Sequence, residues 1–66
     1  MELNTIYNHT QIEEFATDNG YSITHQGKKY VTGEHLIVLT KDDHKISLLD
    51  VGMFPYQTGY KVTFKK

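Results

Sequence analysis

The chain has 66 residues, 38% of them hydrophobic, and a formal net charge of −1 at pH 7. This length predicts a single domain over residues 1–66 that buries only about 60% of its unfolded surface, so its core is thin. The lack of cysteine excludes disulfides, thiolate metal sites and cysteine nucleophiles. The apolar runs are far shorter than the roughly 20 residues of a membrane-spanning helix, and no export signal is recognisable. We therefore expect a cytoplasmic protein without a membrane span.

Charge is distributed unevenly along the chain. Residues 1–20 hold four acidic residues and no lysine, whereas residues 21–66 hold seven lysines and four acidic residues, so the two parts carry −4 and +3. Every cation is a lysine, and the planar guanidinium that suits bidentate contacts to phosphate or guanine is missing. This composition argues against sequence-specific DNA recognition.

The first predicted element is a helix with two possible N-caps. Asn8 can cap it with Gln11 three residues on, or Thr10 can cap it with Glu13 closing a capping box. Apolar residues then recur at helical spacing, and Gly20 supplies the left-handed residue that ends the helix. The residues before the helix form either a short edge strand or irregular chain, and the sequence favours neither. The apolar stripe of the helix consists of Ile12, Phe15 and Ala16.

After the helix, the period of the apolar residues changes from 3.6 to 2, and glycine-containing turn signals come at hairpin spacing. Gln26-Gly27 and Gly33-Glu34 are predicted as two-residue turns, and residues 41–44 as a longer polar loop. The predicted fold is therefore α+β: one N-terminal helix followed by a bent five-stranded antiparallel sheet, with a small closed barrel as an alternative. The predicted strands cover residues 21–25, 28–32, 36–40, 45–51 and 60–65.

The hairpin register divides the strand residues between two faces of the sheet. It places His25 opposite Lys28 and Thr40 opposite Lys45. One face is expected to pack under the helix and form the core. Its residues are Tyr21, Ile23, Tyr30, Ile37, Leu39, Ile46 and Leu48.

The opposite face of the predicted sheet is apolar as well. The unbroken apolar run 36–39 is typical of a strand that is buried on both sides, because a half-exposed strand alternates. This face needs a cover, which the last strand, the segment 53–56 or another chain could provide. Burying an aliphatic side chain there contributes about 1.5 to 3 kcal/mol before entropy is counted. The aliphatic residues concerned are Val31, Leu36, Val38, Leu49 and Val51.

The titratable residues do not form a catalytic or metal-binding pattern. Glu13-Glu14 and Asp42-Asp43 are sequence neighbours whose side chains point apart, and neither Ser22 nor Ser47 lies in a glycine-flanked elbow. We predict no enzymatic activity, no catalytic residue, no metal site and no cofactor. The four histidines share no metal-ligand spacing with one another; they are His9, His25, His35 and His44.

The leading functional prediction is a small noncatalytic protein-binding module that self-associates or binds another protein. It would use the second face of the sheet together with an unusually apolar connection at residues 51–59, where a methionine adjoins two aromatic residues. The predicted contact residues are Leu36, Val38, Leu49, Met53, Phe54 and Tyr56.

The alternative prediction is a small-barrel protein that binds single-stranded nucleic acid. Lysines would contact the phosphate backbone while an aromatic side chain stacks on bases. Lysines on an edge strand also protect against edge-to-edge pairing, so this signal is less specific. The predicted residues are Lys28, Lys29, Tyr60, Lys61 and Lys65.

Overall fold

The computed structural model describes residues 1–28, 35–52 and 59–66. Over these residues it contains one helix and a five-stranded antiparallel sheet, which confirms the predicted α+β class. The elements in chain order are β1 (Ile6–Tyr7), α1 (His9–Asn19), β2 (Ser22–Lys28), β3 (His35–Lys41), β4 (His44–Asp50) and β5 (Tyr60–Lys65).

The strands form one sheet in the order β1-β5-β4-β3-β2, and every pairing is antiparallel. β1 and β2 are its two edges and do not pair with each other, so the sheet over the described residues is not closed into a barrel. The short edge strand before the helix is present as β1. β5 does not fold over the sheet; it lies within it, between β4 and β1.

Asn8, rather than Thr10, caps α1. Gln11 N–H donates to Asn8 Oδ1 at 2.8 Å, and Asn8 N–H donates to Gln11 Oε1 at 2.9 Å, so both halves of a capping box are formed. At the other end Gly20 adopts the predicted left-handed conformation with φ 73° and ψ 24°. The 11 residues of α1 are too few to cross a membrane, and no other helix occurs in residues 1–28, 35–52 and 59–66.

α1 lies on one face of the sheet and contributes its apolar stripe to the core. Phe15 packs at the border of this core, with its ring centroid 5.3 Å from that of Tyr21. Four of the predicted core residues of the sheet are confirmed as buried, whereas Ile23 is 40% exposed and Tyr30 lies outside the described residues. The buried core consists of Ile12, Ala16, Ile37, Leu39, Ile46, Leu48 and Val62.

The first predicted hairpin is wrong, because β2 continues through Gln26 and Gly27. These two residues pair with Ile37 and Leu36 of β3, so they are strand residues and not a turn. Gly27 has φ 135°, a backbone angle that glycine readily adopts inside a strand. The partner of His25 is consequently a residue of β3, Val38, instead of Lys28. The second predicted turn, and residues 29–32 of the predicted strand, lie outside the described residues.

The β3–β4 hairpin agrees with the predicted register, and Thr40 pairs with Lys45. Its connection is tighter than predicted, because Lys41 already pairs with His44 and leaves Asp42-Asp43 as the turn. Asp42 has φ 50°, a left-handed angle that aspartate tolerates better than most residues.

The two N-cap alternatives allow a direct test. We expect Asn8→Ala to lower the free energy of unfolding by about 1 kcal/mol, because the Gln11 N–H loses its acceptor. Thr10→Ala, at the other predicted cap, is the matched control and should change the free energy of unfolding by less than about 0.5 kcal/mol. Urea denaturation followed by circular dichroism measures both, and equal losses for the two variants would contradict the assignment of the cap.

Candidate protein-binding face

The second face is the side of the sheet that faces away from α1. In one row across it Leu36 pairs with Leu49, Leu49 with Lys61, and Lys61 with Ile6. Register partners of an antiparallel sheet point to the same side, so the row lies on one surface. The neighbouring row crosses β2, β3, β4 and β5, and it runs through His25, Val38, Ser47 and Phe64.

The apolar residues of the second face are less buried than those under α1. The apolar β3 and β4 residues on the α1 side are at most 1% exposed, whereas Ile6 and Phe64 on the second face are 43% and 46% exposed. The aliphatic side chains at its centre are half-buried between their neighbours. No helix covers this face within residues 1–28, 35–52 and 59–66. The apolar residues that define the second face are Ile6, Leu36, Val38, Leu49 and Phe64.

The structure brings together three of the six predicted contact residues. Leu36, Val38 and Leu49 are neighbours at the centre of the second face, as their pairing register requires. Val51, predicted on the same face, is 41% exposed just after β4. The remaining predicted contact residues, Met53, Phe54 and Tyr56, lie outside the described residues, as does Val31.

Sequence reasoning missed two apolar residues of this face, Ile6 on the edge strand β1 and Phe64 on β5. Strict alternation along β5 puts Phe64 on the same side as buried Val62. In the structure Val62 pairs with Leu48 of β4, and Phe64 pairs with Ser47, the residue just before Leu48 in β4. Thr63 is therefore an extra residue of β5 between two paired residues. This bulge turns Phe64 to the second face. The Thr63 hydroxyl donates to the Ser47 carbonyl oxygen at 3.4 Å beside the bulge, and no sequence pattern of β5 indicated it.

The charged side chains that the described residues place on the second face are lysines: Lys45, Lys61 and Lys66, whose backbone exchanges both N–H···O bonds with that of Lys45. Lys45 shares the surface with Phe64, and its Nζ lies 6.0 Å from the centroid of the Phe64 ring, within cation–π range. Lys61 is half-buried between its partners Leu49 and Ile6. The acidic residues of the described strands and helix lie elsewhere: in α1 and at Asp50, on the α1 side of β4. The second face is thus apolar, with Lys61 among its apolar residues and Lys45 at its border.

The residues predicted to bind nucleic acid are not brought together. Lys61 lies on the second face, whereas Tyr60, Lys28 and Lys65 pair with residues of the opposite side. Lys28 and Tyr60 are separated by β3 and β4, a distance of about 14 Å across the sheet. Lys29 lies outside the described residues.

Three histidines make local polar contacts. His9 links α1 to β2, because its Nε2 lies 2.7 Å from Gln26 Nε2 while its Nδ1 contacts Glu13 Oε1. His25 Nε2 and His44 Nδ1 lie 3.1 and 3.3 Å from the carbonyl oxygens of Gly27 and Lys66. Over the described ranges, no three His, Asp or Glu side chains are grouped so that they could hold a metal ion.

Tyr60 has a clearly shifted acidity. It is half-buried against the core on the α1 side, opposite Asp50. Burial raises the pKa of the Tyr60 hydroxyl above its usual value near 10, and the negative charge of Asp50 raises this pKa further. The fold therefore favours the neutral phenol.

This shift predicts a loss of stability at alkaline pH. The contribution of Tyr60 is fully present below pH 10 and is lost as the pH rises through its higher folded-state pKa, because the unfolded chain ionises first. Asp50→Asn should lower the pKa of Tyr60 but leave it above the usual value, since burial is the larger cause. A pH titration of the Tyr60 ring resonances by NMR measures this, and an unchanged midpoint in Asp50→Asn would contradict the role of Asp50.

The chain matches no protein-family model, and comparisons with curated proteins and with solved structures find no match. Its function is therefore inferred from its own geometry.

Proposed function

We propose that the protein is a small noncatalytic protein-binding module whose binding surface is the second face. The supporting observation is a sheet that is apolar on both sides, with α1 on one side only among the described elements. Phe64 and Ile6 stay more than 40% exposed, although each is large and apolar. Contact with another protein surface would remove this area from water and stabilise the complex by about 25 cal/mol per Å².

The size of the second face sets the strength of self-association. Four strands about 4.8 Å apart and about seven residues long cover roughly 450 Å². Two copies packed face to face would bury on the order of 900 Å², below the roughly 1,200 to 2,000 Å² of stable interfaces. Each copy would also place Lys45 and Lys61 in the same interface, where like charges repel. We therefore propose a weak homodimer, which salt strengthens by screening the lysines.

Replacement of the exposed aromatic residue tests this surface. Phe64→Thr should weaken self-association by about tenfold, because it removes the largest exposed apolar side chain of the second face while keeping a β-compatible residue. The matched control is Ile23→Thr, since Ile23 is exposed to a similar extent but pairs with core residue Leu39 on the other side. Sedimentation velocity over a concentration series measures the dimerisation constant.

Equal effects of the two variants would contradict the assignment of the surface. A strict monomer at high protein concentration that also binds no hydrophobic dye would count against the proposed function itself. Dimerisation that weakens as salt rises would contradict the predicted repulsion between lysines.

Nucleic-acid binding has less support, because its predicted residues lie on two sides of the sheet. We expect no binding when the protein is titrated with fluorescent single-stranded oligonucleotides at low salt. Binding at low salt that weakens as salt rises would favour nucleic acid as the ligand instead. The cytoplasmic location and the lack of enzymatic activity remain predictions from the sequence.

A further inference from the structure

We propose that the partner of the second face is an apolar helical segment of another protein with acidic residues on its flanks. This inference rests on the proposed function and adds the chemistry of the partner. The charged residues of this face in the described ranges, Lys45, Lys61 and Lys66, have the same sign. A partner with acidic flanks pairs with these lysines, whereas a second copy adds three more.

The positions of Lys45 and Lys61 define the spacing of the acidic residues. Lys45 and Leu49 are four residues apart on β4, and Lys61 is the neighbour of Leu49 on β5. The lysine backbones are therefore about 14 Å apart, with the apolar residues of the second face beside and between them. A helix rises 1.5 Å per residue, so its acidic residues would stand about seven to eleven residues apart, near the two ends of its apolar stripe.

The molecule already contains a helix with this chemistry on its other face. α1 has 11 residues, so it is about 16 Å long and spans a similar length of sheet. Its buried residues Ile12 and Ala16 pack on β3 and β4, while three acidic residues, Glu13, Glu14 and Asp18, occupy its exposed side. An amphipathic helix of this length thus covers one face of the sheet through its apolar residues alone, and the second face offers apolar residues of the same type with lysines beside them.

Two synthetic peptides of 18 residues test the sign of the charge. In both peptides leucine occupies helical positions i, i+3, i+4 and i+7, with alanine between. The residues that flank this leucine stripe are glutamate in one peptide and lysine in the other. The readout is the change of amide resonances of the full chain in two-dimensional NMR titrations. We expect the glutamate peptide to bind about tenfold more tightly, the combined effect of two solvent-exposed ion pairs, and to shift Leu36, Val38, Leu49 and Phe64.

A pair of lysine variants locates the effect on the second face. The triple variant Lys45→Gln, Lys61→Gln and Lys66→Gln should bind both peptides alike, because the charge preference is gone while the apolar contact remains. Lys65→Gln is the matched control, since Lys65 pairs with Ile46 on the α1 side, and it should keep the tenfold preference. Raising the salt concentration should reduce the preference in the unmodified protein.

The possible failures separate this inference from the proposed function. Equal binding of the two peptides to the unmodified protein, or tighter binding of the lysine peptide, overturns the acidic partner but supports protein binding by the second face. Self-association without binding of either peptide also overturns the acidic partner and supports protein binding by the second face. Lack of both peptide binding and self-association overturns both proposals. Shifts of the second-face resonances by anionic lipid vesicles or oligonucleotides, with none by the glutamate peptide, also overturn the acidic partner.

Discussion

The structure depends on one constraint: the sheet has more apolar surface than its single described helix can cover. β3 and β4 carry apolar side chains on both faces, and α1, with 11 residues, packs on only one of them. Under α1 the residues Ile37, Leu39, Ile46 and Leu48 are buried almost completely. A domain of this size has a net stability of only a few kcal/mol, so apolar area left in contact with water is a substantial part of its energetics. A partner on the second face would bury the apolar side chains of β3 and β4 that α1 does not cover.

Charge makes the two sides of the sheet different. The acidic residues of α1 lie on the exposed side of the helix, whereas the second face carries lysines beside its apolar residues. Hydrophobic contact would supply most of the affinity, and the lysines would determine which apolar surfaces can approach. The same lysines limit association between identical faces. This combination of apolar side chains and interspersed lysines is the physical basis of the proposed binding to another protein.

Local signals in the sequence predicted the elements better than their pairing. The limits of α1 follow from Asn8, Gln11 and Gly20, which act on their neighbours in the chain. The core strands β3 and β4 follow from alternation, although their connection is shorter than the predicted loop 41–44. Gln26-Gly27 was misjudged because the same dipeptide fits a turn and an irregular strand, and only pairing with β3 decides between them. Phe64 was missed because a bulge depends on the neighbouring strand, which a single strand's pattern does not reveal.

The accessibility of the second face in dilute solution is the most direct test. A soluble paramagnetic probe broadens NMR signals of methyl groups that solvent can approach, and the leucine and valine methyls report both faces of the sheet at once. At a concentration where the protein is monomeric, we predict strong broadening for Leu36, Val38 and Leu49 and little for Leu39 and Leu48. Equal protection of the two sets in the monomer would show that the chain covers its own second face, and would contradict the need for a partner.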